Sequence, residues 1–203
     1  MIEIGKINEH EMVSAFLKAE IDSPRFGKCI IQKLTLTNYT RRKIIDNPNL
    51  KKSDHNDLRV ELLSQCRGYG RDQLLFRGFP KDTNWKKVRI GPTEIELLKY
   101  AKFDDWVKLS NGSRLVLDGA KNVDKIDVMG NDGVLINTRI KTVVADLRGG
   151  KRYPELIAVK NHEEFLVLLE GHMRATAYAL FGIKEDIEII VGSSTSMHEW
   201  AFY

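Results

Sequence analysis

The sequence predicts an α/β (α+β) fold: a small mixed sheet with packed helices, preceded by a mainly helical N-terminal region. Three observations carry that expectation. Apolar residues recur at helical spacing through the first third of the chain. Two short unbroken apolar runs, Leu156-Ile157-Ala158-Val159 and Phe165-Leu166-Val167-Leu168-Leu169, read as strands buried on both faces. Gly171 then separates the second run from an alanine-rich helical stretch. With 203 residues, 42% of them apolar, the chain can bury a core without metals or disulfides.

In chain order, Asn8 is placed to cap a helix carrying Met12, Phe16 and Leu17 on one stripe. Ser23-Pro24 resembles a second helix start, with proline at the first helical position. Ser53 or Asp54 opens a third helix, with Leu58, Leu62, Leu63 and Cys66, and Gly68 stops it. Residues 68–91 break into glycine, proline and aromatics and read as loops and short strands; Pro92-Thr93-Glu94 begins a helix through Tyr100. Asn111-Gly112 is a hairpin signal, yet the spacing of Leu115, Val116, Gly119, Ala120 and Val123 favours a helix from near Ser113. The turn Gly130-Asn131-Asp132-Gly133 marks a seam between residues 1–130, of unassigned role, and a C-terminal unit, 131–203, the two forming one compact body. That unit reads as a helix over 136–148, the two apolar strands joined by a hairpin at Asn161-His162-Glu163, a helix from Gly171 to Phe181, and a last strand Ile187 to Val191.

Composition excludes several classes. No stretch approaches the roughly eighteen apolar residues of a bilayer span, so no membrane role is expected. The first residues, Met1-Ile2-Glu3-Ile4-Gly5, do not read as a secretory signal. Cys29 and Cys66 lie far apart and read as reduced, buried thiols of a cytoplasmic protein. His10, His55, His162 and His198 show no metal-ligand spacing, and neither a Gly-x-x-x-x-Gly-Lys loop nor a Gly-x-Gly-x-x-Gly fingerprint occurs. The net charge is +4, but residues 38–90 hold thirteen Lys/Arg against six Asp/Glu, or +7, leaving −3 for the rest. Such local basicity suits either a solvated face or an anion-binding surface. Within it, Arg67-Gly68-Tyr69 and Arg77-Gly78-Phe79, with Lys86 and Lys87, are candidates for nucleic-acid contact; turn glycines and core aromatics account for the same residues.

The stretch Glu170-Gly171-His172-Met173-Arg174-Ala175-Thr176 carries the chemistry. A buried strand ends, glycine turns, and a helix starts with free N–H groups and partial positive charge, an arrangement that accepts phosphate. Arg174, in the first turn, can add a bidentate fork, against the alternative of a structural ion pair. His172 is a candidate phosphate donor or proton carrier, or a hydrogen-bonded structural histidine. Glu170 is a candidate general base or magnesium ligand, or a carboxylate favouring the helix dipole. The Thr176 hydroxyl could meet phosphate or bond back to its own helix.

Apolar strand, hairpin, apolar strand and then Gly-x-x-Arg-x-x-Ala on a helix resembles the ParB/sulfiredoxin-like fold, over about the last third of the chain. The motif reads Gly171-His172-Met173-Arg174-Ala175-Thr176-Ala177 here. The resemblance implies a site for nucleotide phosphates at Gly171, His172, Met173, Arg174 and Thr176, with Glu170 and His172 as catalytic candidates. It further implies a nucleoside triphosphate as cofactor, with room for Mg2+, and phosphoryl transfer or hydrolysis as the reaction. A DNA- or RNA-binding protein or nuclease is the alternative. Sulfiredoxins carry a reactive cysteine where His172 stands, so sulfinic acid repair is not implied. The free-serine kinases' acidic-Gly-His-His-Arg is similar to Glu170-Gly171-His172-Met173-Arg174, with methionine at the second histidine.

Overall fold

The structure is a computed structural model that describes residues 1–130, 132–162, 165–183 and 185–203. It opens with β1 (Ile2–Ile7), which no sequence signal announced. Asn8 caps α1 (Glu9–Glu20) as expected: its side chain accepts from the Glu11 amide at 3.0 Å, and the Glu11 carboxylate accepts from the Asn8 amide at 2.8 Å. The second helix, α2 (Gly27–Leu34), begins later than Ser23-Pro24 suggested. Its start presses on the end of α1 so closely that a Cβ at Gly27 would lie 2.2 Å from the Ile21 carbonyl oxygen. The third helix, α3 (Ser53–Arg67), ends at Gly68, which adopts φ +83°.

Then come β2 (Asn84–Ile90), a short 3-10 turn at Pro92–Leu97 in place of the expected helix, and β3 (Leu98–Lys99). Two short helices, α4 (Asp104–Leu109) and α5 (Val116–Asn122), follow, and α5 meets the expectation of a helix after Asn111-Gly112. The last segment runs α6 (Ile136–Arg148), β4 (Leu156–Lys160), β5 (Leu166–Glu170), α7 (His172–Phe181) and β6 (Ile187–Ser193). Asn131 of the proposed seam and Glu163 of the proposed hairpin loop lie outside the described residues.

The fold is mixed α/β. One six-stranded sheet runs β1-β2-β6-β4-β5-β3. β6 pairs parallel with β4 and β3 parallel with β5, while the other neighbours are antiparallel. Strands from before residue 131 therefore form both ends of the sheet, and the C-terminal strands form its middle.

The apolar runs explain this layering. Successive side chains of a strand point to opposite faces. Ile157, Val159, Val167, Leu169 and Ile190 join a core with Met12, Phe16, Leu17 and Leu63 of α1 and α3. Leu156, Ala158, Leu166, Leu168, Ile189 and Val191 join the opposite core, with Ile140 and Val144 of α6 and Ala175 and Ala177 of α7. A sheet covered by helices on both faces needs apolar residues at every central position, hence the unbroken runs. No helix among the described residues is long and apolar enough to cross a membrane.

One expectation is overturned. Cys29 of α2 and Cys66 of α3 are joined in a disulfide, with Cα atoms 5.9 Å apart, and are not reduced thiols. Thirty-seven residues separate them in sequence, so only the packing of α2 on α3 brings them together.

Candidate functional site

The strand-to-helix turn is built as the sequence suggests. Gly171 takes φ +101° between β5 and α7, a left-handed conformation that glycine alone adopts freely. A Cβ there would lie 2.5 Å from the Leu156 side chain and 3.1 Å from the Arg174 guanidinium. The guanidinium is therefore folded back over the turn it follows.

That placement ties Arg174 to groups of the protein. It is only 7% exposed; Nη1 donates to the carbonyls of Pro154 and Glu155, and Nη2 pairs with the Glu170 carboxylate. Arg174 and Glu170 thus brace the end of β5 against the segment entering β4. The fork expected to face a phosphate is largely engaged by protein groups.

The contacts of His172 are those of a hydrogen-bonded structural histidine, one of the readings the sequence allowed. Its ring is enclosed by Tyr100, Trp106 and Phe103, with centroids 6.0, 5.3 and 5.6 Å away. Nε2 accepts a hydrogen bond from the Ala101 amide at 3.3 Å. Burial, with the charges of Arg25, Arg67 and Arg174 nearby, pushes its pKa down to about 3. A neutral imidazole held as an acceptor serves packing and is not suited to carry protons near neutral pH. Thr176 is fully buried; its hydroxyl lies 2.8 Å from the His172 carbonyl and 2.6 Å from the Tyr100 hydroxyl, so it faces the core and not an anion. Met173 packs against the core that α7 shares with α6.

Four basic residues were candidates for nucleic-acid contact, and their surroundings differ. Lys86 pairs with Glu3 at 3.0 Å, and Lys87 with Glu155 at 3.0 Å and Glu188 at 3.7 Å. The two lysines lie on β2, and carboxylates of adjoining strands and of the segment before β4 balance them. Arg77 is exposed. Arg67 is not on a surface track at all; it turns inward at the end of α3.

Its destination is the site that residue-by-residue reading missed. Glu20, the last residue of α1, is 2% exposed, and its Oε1 lies 3.2 Å from Arg67 Nε. The contact is not aligned for a hydrogen bond. Arg67 Nε and Glu20 Oε2 are thus both buried without a hydrogen-bond partner among the described residues. Arg67 stacks on Phe26, its guanidinium carbon 3.6 Å from the ring centroid, while Arg25 lies 5.0 Å from the same ring. Arg25, in the loop before α2, makes no ion pair among the described residues. The charges of Arg67, Glu170, Arg25 and Arg174 all act on Glu20, so four segments converge on one charged junction at the start of α7. Burial dominates there and lifts the Glu20 carboxyl to about 8.

Three arginines and two glutamates thus lie together near the start of α7, with Arg174 already paired to Glu170. Among the described residues no group of three His, Cys, Asp or Glu could hold a metal ion. Of two surface depressions, one is lined by Ile21, Ser23, Pro24, Gly27 and Lys28 and flanks the loop bearing Arg25; the other lies by Lys6, Glu9, Trp85 and Lys86. Arg67 alone among the sequence candidates for nucleic acid joins the junction, while Glu20 and Arg25 carried no motif. No protein-family model, curated protein or solved structure matches the chain.

Proposed function

We propose that the chain binds a phosphate-bearing small molecule, a nucleotide foremost, at the junction of Arg25, Arg67 and Arg174 with the start of α7. The observation that carries this reading is incomplete pairing. Buried polar groups in folded proteins are almost always satisfied, yet Arg67 Nε and Glu20 Oε2 are both buried and unpartnered among the described residues. An oxyanion suits the unpartnered Arg67 Nε, since it accepts from guanidinium and amide donors together. The resemblance of Gly171-His172-Met173-Arg174 to the ParB/sulfiredoxin-like motif supports the same ligand class. Arg174 then acts as the inner brace, and Arg25 and Arg67 as the arginines that meet the ligand. Phosphoryl transfer or hydrolysis extends the reading: Glu20 and Glu170 are the carboxyls available beside such a phosphate, and Mg2+ would arrive with the nucleotide.

Calorimetric titration of the purified protein with ATP, CTP and GTP in the presence of magnesium tests it, with phosphorus NMR of the same mixtures reporting turnover. At least one nucleotide is expected to bind. Arg25→Ala should weaken it about tenfold or more, the worth of a charge-assisted hydrogen bond. Lys28→Ala, which removes an exposed charge from the neighbouring helix, should change affinity less than about twofold. Equal affinity in wild type and Arg25→Ala sinks the site. Binding of DNA or RNA with a steep salt dependence, and of no nucleotide, would favour the nucleic-acid alternative.

A further inference from the structure

We propose that Glu20 is itself a ligand-binding residue of this site: its carboxyl, carrying the proton, donates a hydrogen bond through Oε2 to an oxygen of the bound phosphate. The inference rests on the phosphate reading above and assigns the junction a donor that no motif marks.

Geometry is its first support. Glu20 closes α1 with 2% exposure, and Oε2 has no hydrogen-bond partner among the described residues. The neighbouring oxygen, Oε1, is the one that Arg67 approaches, at 3.2 Å. A buried carboxyl with one oxygen left over suits a ligand better than a closed ion pair does.

Charge balance is the second. The groups that act on Glu20 are Arg67 at the end of α3, Arg25 before α2, Glu170 at the end of β5 and Arg174 in α7. Beyond them lie the neutral His172 and, near Arg25, Asp105 in the first turn of α4. With Glu20 ionised, three arginines meet two carboxylates, and the four neighbours with Glu20 sum to +1. With Glu20 protonated the same groups sum to +2, or +1 when the Asp105 carboxylate near Arg25 is counted, so the site stays net positive and the carboxyl becomes a donor instead of a competing anion. Burial raises the Glu20 pKa to about 8, so the protonated form prevails at neutral pH.

Binding should then be linked to protonation. If only protonated Glu20 accepts the ligand, affinity is level below the carboxyl's pKa and falls by up to about tenfold per pH unit above it. The experiment is calorimetric titration with ATP and magnesium from about pH 7 to about pH 9.5, in buffers of differing ionisation heat, for wild type and Glu20→Gln. The ATP phosphates are fully ionised over the upper part of that range. Wild type should lose about thirtyfold in affinity across the range, and near pH 9 should take up close to one proton per ATP bound. Glu20→Gln keeps a donor of the same size and cannot titrate, so its affinity near pH 7 should stay within about threefold of wild type and vary little with pH. Wild-type binding with a flat profile, or a Glu20→Gln profile that still falls, overturns this proposal and leaves the phosphate reading standing. No binding at any pH, with Arg25→Ala indistinguishable from wild type, overturns both.

Discussion

Gly171 shows how one residue fixes a junction. Its φ of +101° lets β5 turn directly into α7, and its missing Cβ leaves space for the Leu156 side chain and the Arg174 guanidinium. Gly171→Ala must carry both an unfavourable backbone conformation and a contact of 2.5 Å with Leu156. A loss of about 1–3 kcal/mol in stability is expected, measured by urea unfolding. A variant as stable as wild type would show that the turn can relax at little cost. The residues beside Gly171 explain why the motif could be read only in part. Glycine, histidine and arginine at these positions suggested a phosphate cradle, and the turn itself was legible. The directions of Arg174, toward the Pro154 and Glu155 carbonyls, and of Thr176, toward Tyr100, depend on neighbours far away in sequence.

At the scale of elements, legibility followed the range of the signal. The continuous runs of β4 and β5 announced a sheet covered on both faces, and the capping box at Asn8 and Glu11 announced α1. β1 was missed because Ile2–Ile7 is short and mostly exposed, and only pairing with β2 defines it. Glu20 and Arg25 were missed for a related reason: a carboxylate ending a helix and an arginine in a loop look like solvated surface until the fold brings Arg67, Glu170 and Arg174 near them. The cysteines belong here too. The Cys29–Cys66 bridge ties α2 to α3 one residue from Arg67 and three from Phe26, so it holds both walls of the arginine junction. A bridge closing a loop of this length restricts the unfolded chain, and replacing both cysteines by serine should cost about 2–4 kcal/mol. Thermal unfolding of the double variant, and of wild type with and without a dithiol reductant, checks this. Equal melting temperatures would mean that α2 is held by packing alone.

For the whole molecule, part of the basic surplus of residues 38–90 is paired with carboxylates: Lys86 and Lys87 meet Glu3, Glu155 and Glu188, and Arg41 meets Asp22 and Asp46, while Arg67 turns inward to the junction of α1, α3 and α7. Burying two titratable groups there makes global stability depend on pH in a defined way. His172 stays neutral in the folded protein down to about 3, against 6.5 in the unfolded chain. The unfolded chain then binds the extra proton, so that stability is lost as pH falls below about 6.5. Glu20 has the opposite sign: its folded pKa of about 8 exceeds its ordinary 4.5, so the folded state binds the extra proton. Its contribution is fully present below 4.5 and declines as pH rises toward about 8. Between 4.5 and 6.5 the two effects oppose each other, and from 6.5 to about 8 only the Glu20 effect remains of the two. Wild type should therefore lose stability over that upper interval, with a slope on the order of 1 kcal/mol per pH unit. Glu20→Gln removes the titrating group while keeping its shape, and should hold its stability level there. Urea unfolding at a series of pH values, read for both proteins, decides the point: parallel curves from pH 6.5 to 8 would place the Glu20 carboxyl in contact with water and dissolve the charged junction as drawn.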